Sequence, residues 1–375
     1  FFKEIKNSTL ILSKLSLLNF KNYDQIELNV SPYVNCFLGK NGMGKTNILD
    51  GIYYLSNCKS FFNSVDSQNI KNEEDFFVLE GEFDGEENKE KIYCGVKRGK
   101  KKVFKKGKKE YEKLSDHIGL INTVLISPMD TNLIYEGSET RRKFIDLIIS
   151  QYDKLYLKTL INYNKVLNHR NAYLKSLQQG MKFDSLSLEI WNEQLITLGK
   201  EVHTKRTEFI SEFKIVFTEI YNAISGREEH IKLSYSSQLA ETEFKDLLTE
   251  SLHKEKYLGY TTKGTHKDDF SFEIGGKSLK KFGSQGQQKT YLIALKLAQF
   301  KHIESKTESK PILLLDDIYD KLDESRISHL MEQICEGTFG QVFITDTNTE
   351  RLPKFFKKKK YECFAFEIDE GNLVS

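Results

Sequence analysis

The sequence predicts an α/β fold, with mixed and antiparallel sheets around a phosphate-binding core and a mainly helical insertion. Three observations carry that expectation. Residues 37–50 read FLGKNGMGKTNILD, an apolar strand running into a glycine-rich loop and then a helical pattern. The last third returns to short apolar runs, Leu313-Leu314-Leu315 and Val342–Thr345, of the kind buried on both faces of a parallel sheet. Between them, from Met129 to Lys310, the chain has no proline, and apolar residues recur at helical spacing.

The first strands are expected at Leu10–Leu18 and Gln25–Val30, which alternate around a turn at Asn22-Tyr23-Asp24. The next element carries chemistry. Gly39 to Thr46 fits G-x-x-x-x-G-K-[ST], with the strand Val34–Leu38 before it and a helix marked by Ile48, Leu49, Ile52 and Leu55 after it. Glycines let backbone N–H groups turn toward an anion, and a helix N-terminus adds partial positive charge. In this reading Gly39, Lys40, Asn41, Gly42, Met43, Gly44, Lys45, Thr46 and Asn47 cradle ATP. Lys45 would reach the β- and γ-phosphates and the Thr46 hydroxyl would bind Mg²⁺. An ordinary glycine-rich turn is the plainer alternative, disfavoured because spacing and context agree.

Asp75–Phe83, Lys91–Lys97 and Lys102–Lys105 then read as an antiparallel meander, followed by a short strand at Ile121–Ile126. Helical spacing begins at Arg141 and runs through Ile145, Ile148, Tyr152, Leu155, Leu160, Tyr163 and Val166. A second series runs from Ile190 to Ile224, with Gln179-Gly180 between the two and Asp184 as the second N-cap. Each helix could span about 35–40 residues, on the order of 55 Å. The expected division is a head from residues 1–112 and 262–375, with 113–261 as an inserted helical arm (a second lobe and a coiled-coil-like hairpin).

A P-loop supplies only half of an ATPase. Pro311–Asp317 is a hydrophobic strand ending in two carboxylates. Asp316 would hold the Mg²⁺ shell, and Asp317 would polarise the attacking water. Upstream, Ser284-Gln285-Gly286-Gln287 opens an amphipathic helix, and an exposed serine and a glycine at a helix N-terminus suit a second anion site. That stretch resembles the S-x-G-Q signature of ATP-binding-cassette (ABC) ATPases. The resemblance implies that Ser284, Gly286 and Gln287 of one molecule close over the γ-phosphate held by Lys45 of another. The outcome would be an ATP-dependent homodimer. Asp320-Lys321-Leu322-Asp323 stands where the D-loop follows, with Asp323 as a further nucleotide contact. Thr345-Asp346 stands where transporters of this class carry a histidine, so a transporter subunit is disfavoured.

Within that class the chain resembles the RecF family of bacterial recombination and replication-repair proteins, nearly end to end. The resemblance rests on Gly39–Asn47, Ser60-Phe61, Ser127-Pro128, Glu136-Gly137-Ser138 and Arg141-Arg142-Lys143-Phe144-Ile145-Asp146. It extends to His169-Arg170-Asn171, Trp191–Leu195, Gly264–Asp269, the signature, and Leu313–Asp323. The chain departs from the family at Phe62, usually Arg, and at Thr265 and Lys267, usually Pro and Arg. It also departs at Asp320-Lys321, usually Ser-Glu. Roughly 240 residues separate Lys45 from Ser284, which suits a short arm rather than the long rod of SMC and Rad50 relatives. The resemblance implies an ABC-type ATPase head. It also implies slow, DNA-dependent ATP hydrolysis used as a switch on duplex or gapped DNA. Its implied partners are RecR with RecO, and indirectly RecA.

Composition bounds these readings. At 375 residues and 29% charged the chain is long enough for two to three domains, and a net charge of +2 does not by itself mark a nucleic-acid binder. Charge is concentrated locally, however. Residues 98–109 hold eight basic side chains in twelve positions, and Lys357–Lys360 form a second run. Lys105, Lys106 and Lys108, with Arg141 and Arg142, are the candidate DNA contacts. Solvated turns and structural ion pairs are the alternatives. Five cysteines without C-x-x-C spacing suggest reduced thiols in a cytoplasmic protein without zinc, and no membrane association is expected. The chain opens at Phe1 rather than Met, so a few initial residues are expected to be missing. The competing readings are an ABC-type ATPase energising a non-DNA partner, in transport or regulation, and a nucleotide-binding regulator without turnover.

Overall fold

The computed structural model describes residues 10–85, 88–226, 228–320 and 324–374. In chain order the elements begin with β1 (Ile11–Phe20), β2 (Tyr23–Asn29), β3 (Val34–Leu38), α1 (Lys45–Asn57), β4 (Phe76–Asp84), β5 (Lys89–Lys97), β6 (Val103–Lys106), β7 (Lys109–Glu110) and β8 (Thr123–Ile126). They continue with α2 (Asn132–Tyr135), α3 (Ser138–Tyr152), α4 (Lys154–Gln178), α5 (Ser185–Ser225), β9 (Ile231–Ser236), α6 (Phe244–Leu258), β10 (Asp269–Ile274), β11 (Lys277–Ser278) and α7 (Leu279–Phe282). The last are α8 (Gln285–Thr307), β12 (Ile312–Leu315), α9 (Glu324–Cys335), β13 (Val342–Asp346), α10 (Arg351–Lys359), β14 (Cys363–Asp369) and β15 (Asn372–Leu373).

These elements form two compact units, residues 1–130 with 289–375, and residues 131–288. The junctions fall later than the sequence suggested, at 130 and 288 rather than 112 and 261. The physical reason is strand pairing. β8 is the parallel edge partner of β12, so its residues belong with the first unit. β10 pairs with β9 and β11, which keeps residues beyond 261 in the second.

The first unit contains two six-stranded sheets. One is antiparallel, in the order β2-β1-β4-β5-β6-β7. Its strands alternate: Phe77, Leu79, Gly81 and Phe83 of β4 are buried while their neighbours are partly exposed. The first hairpin turns at Lys21-Asn22 rather than at Asn22–Asp24, because Tyr23 already pairs with Phe20. The other sheet runs β15-β14-β3-β13-β12-β8, with the five strands from β14 to β8 parallel. Every residue of β3, β8, β12 and β13 is buried, which is why these segments read as continuous apolar runs. Helix α1 packs against strands of both sheets. Tyr54 meets Phe77 edge-on at 5.6 Å between ring centres, and Phe77 meets Phe20 at 5.2 Å.

The second unit is mainly helical. The apolar series beginning at Arg141 forms two helices instead of one. Asp153 adopts extended backbone angles between α3 and α4, and its carboxylate accepts the Tyr156 N–H as an N-cap. The second series is continuous over the 41 residues of α5, capped by Asp184 at one end and closed by Gly226 at φ 63°. Tyr163, Val166 and Leu167 of α4, Leu195 of α5, and Phe244, Leu247 and Leu248 of α6 make a shared core. Arg170 is fully buried beside it. Its guanidinium donates to Glu255 and Thr261, each at 2.7 Å, and to Asn192 at 2.8 Å. Arg206 does the same for Asp146, Asp268 and the Thr265 carbonyl.

Removing one member of a buried ion pair leaves an uncompensated charge, at a cost of about 3–5 kcal/mol. Urea unfolding is expected to show that loss for Arg170→Met and a smaller loss for Arg170→Met combined with Glu255→Met. Equal losses would mean that the guanidinium acts only through its packing.

Candidate nucleotide-binding site

The loop between β3 and α1 owes its shape to glycines at positive φ. Gly39 lies at φ 142°, where a Cβ would stand 2.3 Å from the Ile368 carbonyl oxygen. Gly44 lies at φ 114° as the N-cap of α1, where a Cβ would meet the Asn22 amide at 2.5 Å. Two distant turns brace the loop. The Met43 carbonyl accepts from the Asn22 side chain and from the Gly371 N–H, both at 3.1 Å. Asn47 donates to Asn22 at 2.7 Å, and the Gly39 N–H reaches the Asp346 carbonyl at 3.3 Å. Lys40, Asn41 and Gly42 are left exposed at the mouth, where a Cβ on Gly42 would meet open space.

Lys45 is buried at the base of the loop. Its ammonium donates to the carbonyls of Gly39 at 2.7 Å and Lys40 at 2.8 Å. Burial pushes its pKa down, while Asp317, Asp316 and Asp346 pull the other way.

The parallel sheet supplies the acidic side. The order β3-β13-β12 sets the ends of these strands side by side. Asp316, immediately after β12, is buried, and its Oδ1 accepts from the hydroxyls of Thr46 at 2.9 Å and Thr345 at 3.0 Å. Burial raises its pKa to about 6, with the neighbouring Asp317 adding to the shift and the two hydroxyls opposing it. Asp317 follows at φ 46°, held by its N–H to the Thr345 hydroxyl at 2.9 Å. Thr46 and Asp316, the pair expected to hold Mg²⁺, are thus brought together. Hydroxyl and carboxylate oxygens are the donor set a hard cation takes, with further positions left to phosphate and water.

Ser284 and Gln287 form a reciprocal capping box at the start of α8. The Ser284 N–H donates to the Gln287 side chain at 2.9 Å, and the Gln287 N–H donates to Ser284 Oγ at 3.2 Å. The Gln287 amide also holds Glu229 at 2.9 Å. Ser284 is exposed, and Gly286 lies in the first turn of this 23-residue helix. Asp320 closes a short 3-10 turn, whereas Lys321, Leu322 and Asp323 lie outside the described residues.

The candidate DNA contacts differ in availability. Arg141 grips Asp269 through two bonds of 2.9 and 3.0 Å, and Arg142 donates to the Asp268 carbonyl and Ser138. Lys106 pairs with Glu90 at 2.9 Å, Lys105 lies over the Tyr93 ring, and Lys108 is exposed beside Gly107 in the β6–β7 turn. Of His169, Arg170 and Asn171, only Arg170 is buried, with Asn171 half-buried and His169 exposed. His169 stacks on Trp191, and Asn171 accepts from Thr261.

Sequence reasoning placed Asn22 only in a turn and assigned no role to Gly371 or Asp50. Asp50 accepts from Ser60 and pairs with Lys21 at 2.6 Å. Asp50 lies opposite the apolar series Ile48, Ile52 and Leu55, so helical spacing did not mark it as buried. Nothing local marks Asn22 or Gly371 as supports of a loop so far away in sequence.

The RecF/RecN/SMC N-terminal domain family matches residues 11–364. A DNA replication and repair protein RecF from Phocaeicola vulgatus is 48% identical over 367 residues, covering 97% of this chain and 98% of that protein. Its counterpart from Flavobacterium johnsoniae is 51% identical over 355 residues, covering 94% and 99%. Among solved structures, the recombination mediator protein RecF with ATP, of the RecFOR pathway, superposes with a TM-score of 0.88 at 31% identity, covering 98% of this chain and 97% of that one. A Pyrococcus furiosus Smc head domain shares the fold alone, with a TM-score of 0.55 at 18% identity over 97% and 95% of the two chains. The fold is therefore α/β with an ABC-type ATPase head. With identities near one half over almost its full length, the chain belongs to the RecF family.

Proposed function

We propose that the protein is a DNA-binding ATPase of recombinational repair and replication restart, and that its ATP-bound form is a two-fold dimer. One observation carries the reading: Lys45, Thr46, Asp316 and Asp317 are assembled in one unit, while Ser284 is capped and exposed in the other. The parts for holding a triphosphate and the part for covering one are each preformed. In the dimer, Ser284 of one chain would cover the γ-phosphate cradled by Lys45 of its mate.

Each residue has a definable task. The N–H groups of residues 40–46 and the Lys45 ammonium would neutralise the phosphates, at the end of a helix whose dipole already favours anions. Thr46 and Asp316 would hold Mg²⁺, which when bound neutralises β- and γ-oxygens. Asp317, fixed by its backbone bond to Thr345, would orient the attacking water and accept its proton. Ser284 and the first turn of α8 would add donors to the γ-phosphate only when two subunits meet. Binding then joins subunits, and hydrolysis releases them.

The DNA reading is supported by the names of the relatives, with RecR and RecO as expected partners at single-strand gaps and RecA downstream. Among the described residues no helix is long and apolar enough to cross a membrane, and a cytoplasmic location suits this role.

Asp317→Asn is expected to retain ATP binding, to slow phosphate release by about 10²–10⁴-fold, and to accumulate as dimer in sedimentation with ATP. Normal turnover in that variant would reassign the general base. Ser284→Arg should bind ATP as a monomer yet fail to pair, so normal ATP-driven dimers would overturn the shared site. Charge reversal at Lys105, Lys106 and Lys108 should lower the salt slope of duplex binding by about 0.9 per lost phosphate contact. An unchanged slope would assign that hairpin to solvent.

A further inference from the structure

The second unit carries an aromatic and basic surface that the ATPase reading leaves unused. It is built where the end of α6 meets the connection between α4 and α5. Tyr257 is 81% exposed, and Tyr260 and Phe183 are each 44% exposed. Lys256 lies over the Phe183 ring, 3.3 Å from its centre, and Lys267 lies over the Tyr260 ring at 5.4 Å.

The charge of this surface is not neutralised internally. Among the described residues, Lys256, Lys263 and Lys267 form no ion pair within 4 Å, and Lys256 and Lys267 lie over neutral rings instead. Between His253 and Lys267 the only carboxylate is Glu255. Its side chain is fully buried and consumed by Arg170. The nearby Asp184 is engaged as the N-cap of α5, accepting from Leu186 and Ser187. What faces solvent is therefore positive charge interleaved with flat apolar rings.

The surface is also held in place. Gln178, at the end of α4, donates to the Tyr257 carbonyl at 2.5 Å, and Arg170 fixes Thr261 at 2.7 Å. Tyr173 donates to the Asp184 carbonyl at 2.8 Å and so pins the connection that carries Phe183. The backbone that carries the rings is thus fixed before any base stacks on them.

We propose that this surface binds single-stranded nucleic acid, with bases stacking on Tyr257 and Tyr260 and the backbone tracking Lys256, Lys263 and Lys267. A base has a π-face whatever its identity, and a phosphate lies within one nucleotide of every base, so alternating rings and cations match that polymer. A carboxylate-rich protein would match the lysines and leave the rings unused. A duplex hides its base faces. The proposal does not depend on nucleotide-driven dimerisation.

The test uses the full chain without ATP and a fluorescent oligothymidylate of 25 nucleotides. Tyr257→Ser with Tyr260→Ser is expected to weaken binding by about tenfold or more, with the salt slope unchanged. Lys256→Gln with Lys267→Gln should instead reduce the slope by about 0.7 per lysine. Both variants should keep ATP turnover and the urea midpoint of the parent, because neither alters a buried bond. Wild-type affinity in the tyrosine variant would overturn the proposal. So would equal losses for duplex and single strand, or displacement of the oligonucleotide by polyglutamate at equal charge concentration. Failure of ATP-driven dimerisation would leave all of these outcomes readable, so the two readings fail separately.

Discussion

A buried carboxylate organises the head. Asp316 ends a strand with no exposed residue, in surroundings that raise its pKa to about 6. Such a group is costly unless hydrogen-bonded. Here the hydroxyls of Thr46 and Thr345 meet it, one from the helix after the P-loop and one from the neighbouring strand. Those two contacts demand that β3, β13 and β12 lie side by side with their ends level. The sheet order and register supply that arrangement. Lys45 sits in the same unit with its ammonium on backbone carbonyls. Positive and negative charge are thereby stored close together at the strand ends, where open parallel sheets bind ligands.

The parts of this arrangement carried by contiguous residues were legible in the sequence. Gly39 to Thr46 and Leu313 to Asp317 each encode a strand, its end and its chemistry within a few positions. The four buried strands of the parallel sheet were readable because burial on both faces leaves no polar alternation. Support from a distance was not readable. Asn22 and Gly371 converge on the Met43 carbonyl from hairpins almost 350 residues apart in the chain, and neither residue stands out in its own neighbourhood. The break at Asp153 was missed for a different reason. Apolar spacing continues across it, and only the capping tendency of aspartate marks the interruption.

Lysine density and available charge proved to be different quantities. Residues 98–109 are the most basic stretch of the chain, yet Lys102 pairs with Asp66 and Lys106 with Glu90. Arg141 and Arg142 are bound to groups of their own unit. The stretch from His253 to Lys267 holds four lysines and one carboxylate, Glu255. Once that carboxylate is buried against Arg170, its charge no longer offsets the lysines outside. Sequence shows how many charges there are, and the fold decides which remain unpaired.

The same distinction bears on the start of α8. Ser284 and Gln287 satisfy one another's backbone N–H groups, so the start of α8 is ordered without any ligand. An ordered turn needs little rearrangement when an anion arrives, because the entropy of fixing it has already been spent in folding. The P-loop is likewise braced from two sides before a phosphate enters. With both halves preformed in each chain, little of the free energy of nucleotide binding goes into local ordering. In the proposed dimer the remainder would be available to join two subunits.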